Sequence, residues 1–132
     1  MLRADPVVLA AGQCFATDDD YKQARRSLLD ERIGLVRALD QHRASLLICE
    51  SDPAVVVIDL AMTDGSPLAV ADFCNYRRPD VPVILIGAGR LLADGSLFRH
   101  VGNAAALVSR QTPARDLTAL IAFHANHRLS VA

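Results

Sequence analysis

Ala54-Val55-Val56-Val57-Ile58-Asp59 is an unbroken apolar run that ends in a carboxylate. A strand covered by helices on both faces has no polar side, so it reads as continuous Val and Ile rather than as an alternation. A charged residue at the C-terminal end of such a strand stands where open α/β sheets form their ligand crevice. The stretch therefore predicts a central parallel strand with Asp59 at its tip, facing a crevice shared with neighbouring strand ends.

Short apolar runs and amphipathic segments alternate on either side of it. Pro6-Val7-Val8-Leu9-Ala10-Ala11 reads as a strand stopped by Gly12. Tyr21 to Arg32 reads as a helix, with Tyr21, Ala24, Leu28 and Leu29 at helical spacing, Asp18 to Asp20 at its positive end and Gly34 ending it. Leu35 to Leu39 is a second strand, and Asp40 caps a helix running to about Glu50. After Val55–Leu60, Ser66-Pro67 is a cap and a first-turn proline. Val81 to Ile86 is the fourth strand, Ser96 to Val101 a short helix, Ala104 to Ser109 a weaker fifth strand. Thr112-Pro113 opens a last helix whose tail frays after His127. A β-α alternation repeated this way forces parallel strands joined by right-handed crossovers.

The 132 residues suffice for one domain with a real core, and 52% of them are hydrophobic. With 14 basic and 15 acidic residues the net charge is −1, which gives no drive toward nucleic acid or anionic lipid. Cys14, Cys49 and Cys74 are scattered and form no C-x-x-C pair, as expected for reduced thiols in a cytosol. The apolar stretch Pro6–Gly12 is too short for a signal peptide or a membrane span. A cytoplasmic protein with no membrane contact and no direct nucleic-acid contact is expected.

The segment Val55-Val56-Val57-Ile58-Asp59-Leu60-Ala61-Met62-Thr63-Asp64-Gly65 resembles the phosphoacceptor strand and loop of bacterial response-regulator receiver domains. Pro79-Asp80-Val81-Pro82-Val83-Ile84-Leu85-Ile86 is similar to their fourth strand, and Arg110 followed by Asp116-Leu117 to the passage from fifth strand to last helix. The resemblance spans nearly the whole chain in element order, though only the Asp59 segment is specific. It implies a flavodoxin-like (βα)5 sandwich, a five-stranded parallel sheet of order 2-1-3-4-5. It also implies phosphorylation of Asp59 by a histidine kinase or phosphotransfer protein, with Mg2+ held by acidic residues after the first strand.

Several positions depart from that pattern. Gly87 stands where the family has a Ser or Thr, Leu107 where it has an aromatic, and Arg110 where it has a Lys. A phosphoryl group adds charge and acceptor oxygens that donors must gather. A missing hydroxyl removes a hydrogen bond to a charged group worth roughly 1.5–3 kcal/mol. Reversing a two-state population from 1:99 to 99:1 takes about 5.5 kcal/mol, so that loss is a large share of the switch. Arginine keeps the charge but replaces a compact ammonium with a planar fork.

The metal pair depends on where the first strand lies. If it is Val7–Ala11, its end offers Ala10, Ala11 and Gly12 and no carboxylate; if it is Cys14–Thr17, Asp18 and Asp19 join Asp59 as Mg2+ ligands. Strand composition favours the former and the spacing to Gly34 the latter. The plain reading of Asp18–Asp20 is a solvated helix N-terminus.

Other candidates are weaker. Gly87-Ala88-Gly89-Arg90 lacks a third glycine and a P-loop Lys, and Asp64 reads as a turn residue before Gly65. His124 and His127 have no third ligand at hand. Three readings follow. The first is a stand-alone, non-enzymatic receiver-like module with altered switch residues, working through contacts with a signalling protein or as a homodimer. The second is a working phosphorelay regulator that uses Asp59 and Mg2+. The third is a small flavodoxin-like cofactor binder, which the absence of a nucleotide fingerprint disfavours.

Overall fold

The computed structural model describes residues 5–88 and 101–131, with side chains up to position 127. Five strands form one sheet: β1 (Val7–Ala11), β2 (Gly34–Ala38), β3 (Val55–Asp59), β4 (Val83–Gly87) and β5 (Ala104–Ser109). The order is β2-β1-β3-β4-β5 and every pairing is parallel, as the alternation required. Four helices are described: α1 (Asp18–Asp30), α2 (Gln41–Glu50), α3 (Pro67–Arg77) and α4 (Ala114–Val131). The short helix expected over Ser96–Val101 falls outside the described residues, Val101 excepted.

Side chains alternate across the strands, so the sheet feeds two cores. Val8, Ala10, Val55, Val57, Ile84 and Ile86 face Ala24 and Leu28 of α1 and Leu117, Ile121 and Ala125 of α4. Leu9, Ala11, Val56, Ile58, Val83 and Leu85 face Ala44 and Ile48 of α2 and Val70, Ala71 and Cys74 of α3. β3 is buried on both sides along its whole length, which explains its unbroken apolar run. Each such Val, Leu or Ile contributes about 1.5–3 kcal/mol when fully removed from water.

The helix starts follow side-chain capping. Thr17 accepts from the Asp20 N–H at 3.0 Å, Asp40 from Arg43 at 2.8 Å and Ser66 from Ala69 at 3.2 Å. The end of α1 differs from expectation. Gly34 does not terminate it but opens β2; Arg32 makes the left-handed turn instead, with φ of 62°. The Arg32 N–H bonds to the Leu29 carbonyl and the Ile33 N–H to the Leu28 carbonyl, closing the helix with a paired C-terminal motif in which Ile33 and Leu28 are both buried. The last helix also runs past His127 as far as Val131 instead of fraying there.

The first strand is Val7–Ala11, not Cys14–Thr17. Cys14 and Phe15 are buried in the connection to α1, and Thr17 is that helix's cap.

Candidate functional site

Asp59 ends β3 in register with Ile86 of β4, while Ile58 lies beside Ala11 of β1. Its place on the alternation puts it on the row of Val55 and Val57, facing α1 and α4. Arg110, the first residue past β5, continues the row of Ala106 and Val108 on the same face. Two strand tips separated by β4 thus bring opposite charges together. The Arg110 Nη2 donates to Asp59 Oδ1 and forms an ion pair with it. The Ala61 N–H donates to the same oxygen at 2.9 Å. Arg110 is itself anchored at the sheet, since its N–H bonds to the Gly87 carbonyl at 2.8 Å.

The expected open crevice at Asp59 is corrected by this geometry. The Asp59 side chain is 5% exposed and that of Arg110 38%, so a guanidinium lies over a covered carboxylate. A buried carboxylate needs a charge or several donors to compensate it, and among the described residues the Arg110 guanidinium and the Ala61 N–H do so.

The β1 side of the site is made of backbone. Gly12 has φ of +90° and its N–H bonds to the Ala38 carbonyl at 2.8 Å. A Cβ added there would stand 2.9 Å from Asp59 Cβ and 3.3 Å from Met62 Cβ. Glycine is required on both counts, backbone conformation and space.

Asp18 and Asp19 lie in the first turn of α1, and the strand placement that would have made them a metal pair is not the one observed. The Asp18 carboxylate accepts from Arg37 at 3.1 Å, and the Arg37 guanidinium lies 4.3 Å from the centre of the Tyr21 ring. Among the described residues, no group of three or more His, Cys, Asp or Glu is placed to hold a metal ion. The residues around Asp59 therefore do not fit a Mg2+ shell built with Asp18 and Asp19. Among the described residues, His124 and His127 also have no third ligand; partial burial, and then the neighbouring His127, hold the His124 imidazole below its usual range.

Of the remaining sequence candidates, Gly89 and Arg90 lie outside the described residues. Gly87 ends β4 and offers Arg110 a carbonyl in place of a hydroxyl. Leu107 pairs in register with Leu85 and packs against the α2–α3 core, away from the ion pair. Asp64 is in the loop after β3, where its carbonyl accepts the Gln41 N–H at 2.9 Å and Gln41 Oε1 accepts the Ser66 N–H at 2.9 Å. Gly65, φ +103°, lies so close to Gln41 that no side chain would fit. The loop is thereby tied to the start of α2.

Sequence reasoning missed the approach of Gly12 to Asp59, whereas Cys14 is the small buried side chain that a scattered, unpaired cysteine suggests. The Cys14 Sγ lies 3.4 Å from the Ala11 carbonyl oxygen and 3.6 Å from that of Val57. Burial pushes its thiol up to about 12, with Arg110 and then Arg37 pulling the other way. It is an inert, protonated filler beneath the site. A groove of about 330 Å3 between α1 and α4, lined by residues including Gln23, Ser27, Arg115 and Thr118, shares no lining residue with the Asp59 site.

No protein-family model and no curated protein matches the sequence. Solved structures do match the fold. A CheY-like response regulator receiver domain from Methanospirillum hungatei superposes with a TM-score of 0.77 at 18% identity, covering 96% of this chain and 98% of that one. The receiver domain of NtrX from Brucella abortus gives 0.69 at 24% identity, over 89% and 96%. A structure described as adenylate cyclase from Rhodopirellula baltica gives 0.77 at 14% identity, over 96% and 92%. At these identities the likeness establishes the flavodoxin-like receiver fold. Among the described residues, no helix is long and apolar enough to cross a membrane.

Proposed function

We propose that this chain is a receiver-like signalling module with altered switch residues, that Asp59 occupies the phosphoacceptor position, and that the module acts through protein–protein contacts rather than as an enzyme. The observation that carries this reading is the Arg110–Asp59 ion pair at the tip of the central strand of a receiver fold. The pair joins the two positions that the resemblance gives to the phosphoacceptor and to the family's Lys at the end of the fifth strand.

The response to a phosphoryl group is proposed to be weak. Gly87 has no hydroxyl to donate, and Leu107 is an aliphatic side chain packed toward the opposite core. The β3–α3 loop is held by Gln41. Phosphorylation would also have to separate Arg110 from a carboxylate it already neutralises. The partner would be a histidine kinase, a phosphotransfer protein or another signalling protein, or a second copy of the chain, read by the shape of the domain.

Incubation with acetyl phosphate and Mg2+, followed by intact-mass spectrometry, tests this. Transfer would form a bond from an Asp59 carboxylate oxygen to phosphorus and release acetate. Little or no adduct is expected. A stoichiometric adduct that disappears in Asp59→Asn would replace this proposal with that of a working phosphorelay regulator. A tightly held coloured or nucleotide cofactor in the purified protein would overturn both in favour of a cofactor binder.

A further inference from the structure

We propose that the site around Asp59 is built for a planar monocation, supplied in cis by Arg110, and not for a divalent metal ion. This rests on the reading of Asp59 above and adds to it what charge the site accepts.

A small hard ion such as Mg2+ needs six oxygen ligands in near-octahedral array and is held through one or two carboxylates with waters. Asp59 offers one carboxylate, which suffices only where waters can fill the remaining positions, and its side chain is 5% exposed. The β1 side offers none, because position 12 is a left-handed glycine whose missing Cβ already falls 2.9 Å from Asp59 Cβ and 3.4 Å from Asp59 Oδ2. A carboxylate grafted there would collide with the group it was meant to flank. On the α1 side, Asp18 is engaged by Arg37 at 3.1 Å. On the β3–α3 side, Asp64 is exposed and its carbonyl is tied to Gln41.

Among the described residues, the charged group that does reach Asp59 is a guanidinium. Arg110 approaches Asp59 Oδ1 with its backbone fixed on β4, and the Ala61 N–H comes to the same oxygen. One negative charge meets one positive charge where the carboxylate is almost fully covered. Adding a divalent ion would leave a positive excess in a poorly solvated place, which is strongly unfavourable. The guanidinium meets the carboxylate through Nη2 on Oδ1, a directional contact from a weakly hydrated cation that a strongly hydrated spherical ion does not reproduce. The Asp59 carboxylate is thus compensated by Arg110 without a metal ion.

The test is chemical rescue of Arg110→Ala, read by NMR at the Ala61 amide. Removing the guanidinium should displace that resonance. Millimolar methylguanidinium should return it toward the wild-type position saturably, and millimolar Mg2+ should not. Mg2+ should also leave the Ala61 and Gly12 amides of the wild-type protein unmoved, a measurement that stands if Arg110→Ala does not fold. Saturable Mg2+ shifts at these amides in either protein overturn the proposal. So does failure of methylguanidinium to act on a folded Arg110→Ala. These outcomes are separate from the acetyl phosphate result: a metal-binding Asp59 that is never phosphorylated sinks this inference and leaves the signalling reading in place.

Discussion

Replacing Gly12 with alanine puts a single carbon into the tightest part of the site. The residue sits at φ +90°, where an L side chain costs roughly 1–2 kcal/mol. The new Cβ would stand 2.9 Å from Asp59 Cβ and 3.3 Å from Met62 Cβ, both atoms close to the main chain and unable to swing aside. Overpacking of that kind adds about 1–3 kcal/mol. Gly12→Ala should therefore destabilise the fold by about 2–5 kcal/mol, a large part of a domain's marginal stability. Urea unfolding followed by far-UV circular dichroism measures it. Gly34→Ala is the control: its Cβ would meet Val7 Cγ2 at 3.6 Å and the Pro6 carbonyl oxygen at 3.7 Å, ordinary contacts, so its midpoint should move little. Equal and small effects at both positions would refute the close approach of β1 to Asp59.

Other substitutions probe how the frame is held. Arg32→Gly should stabilise the protein by about 0.5–1 kcal/mol in the same unfolding assay, because glycine relieves the left-handed strain at φ 62° and gives back part of the gain as chain entropy. Asp40→Ala should cost about 1 kcal/mol by removing the acceptor for the Arg43 N–H. Cys14 should resist alkylation in the folded protein while the half-buried Cys49 reacts, as peptide mass spectrometry after iodoacetamide would reveal. Its folded pKa is raised from 9.0 to about 12, so its contribution to stability is complete below pH 9.0 and is lost as pH climbs toward about 12. A Cys14→Ala variant should lack that part of the alkaline loss.

Much of the frame could be read from local pattern, because the apolar runs of β3 and β4 report burial on two faces and three of the four described helix starts carry a side-chain acceptor. Val55–Asp59 shows this most clearly: its composition alone placed it centrally, and it is buried throughout. The β1 segment was ambiguous, because Val7–Ala11 and Cys14–Thr17 are both apolar enough to pair. Three-dimensional packing resolves it: Cys14 and Phe15 are used to fill space beneath the sheet end. Gly34 illustrates a local rule overridden. A glycine after a helix usually takes the left-handed position, yet here the 28–33 motif closes two residues earlier on Arg32, where Ile33 can reach Leu28.

Less of the site was legible. The position of Asp59 followed from its strand, but its closure did not, since that needs Arg110 to reach across β4 from 51 residues away. The alternation of β5 hinted at it: Arg110 keeps step with Ala106 and Val108, as Asp59 does with Val55 and Val57. Gly12 read only as a stop after a strand. Its meaning lies in the register between β1 and β3, which no single segment encodes.

A double-mutant cycle on Asp59→Asn and Arg110→Gln, by urea unfolding, tests the ion pair most directly. Groups in direct contact couple by about 0.5–3 kcal/mol. With Arg110 38% exposed and Asp59 nearly covered, solvent screens part of that, and a coupling of about 1–2 kcal/mol is predicted. Strict additivity of the two substitutions would contradict the account, for it would mean that the charges at the ends of β3 and β5 do not meet.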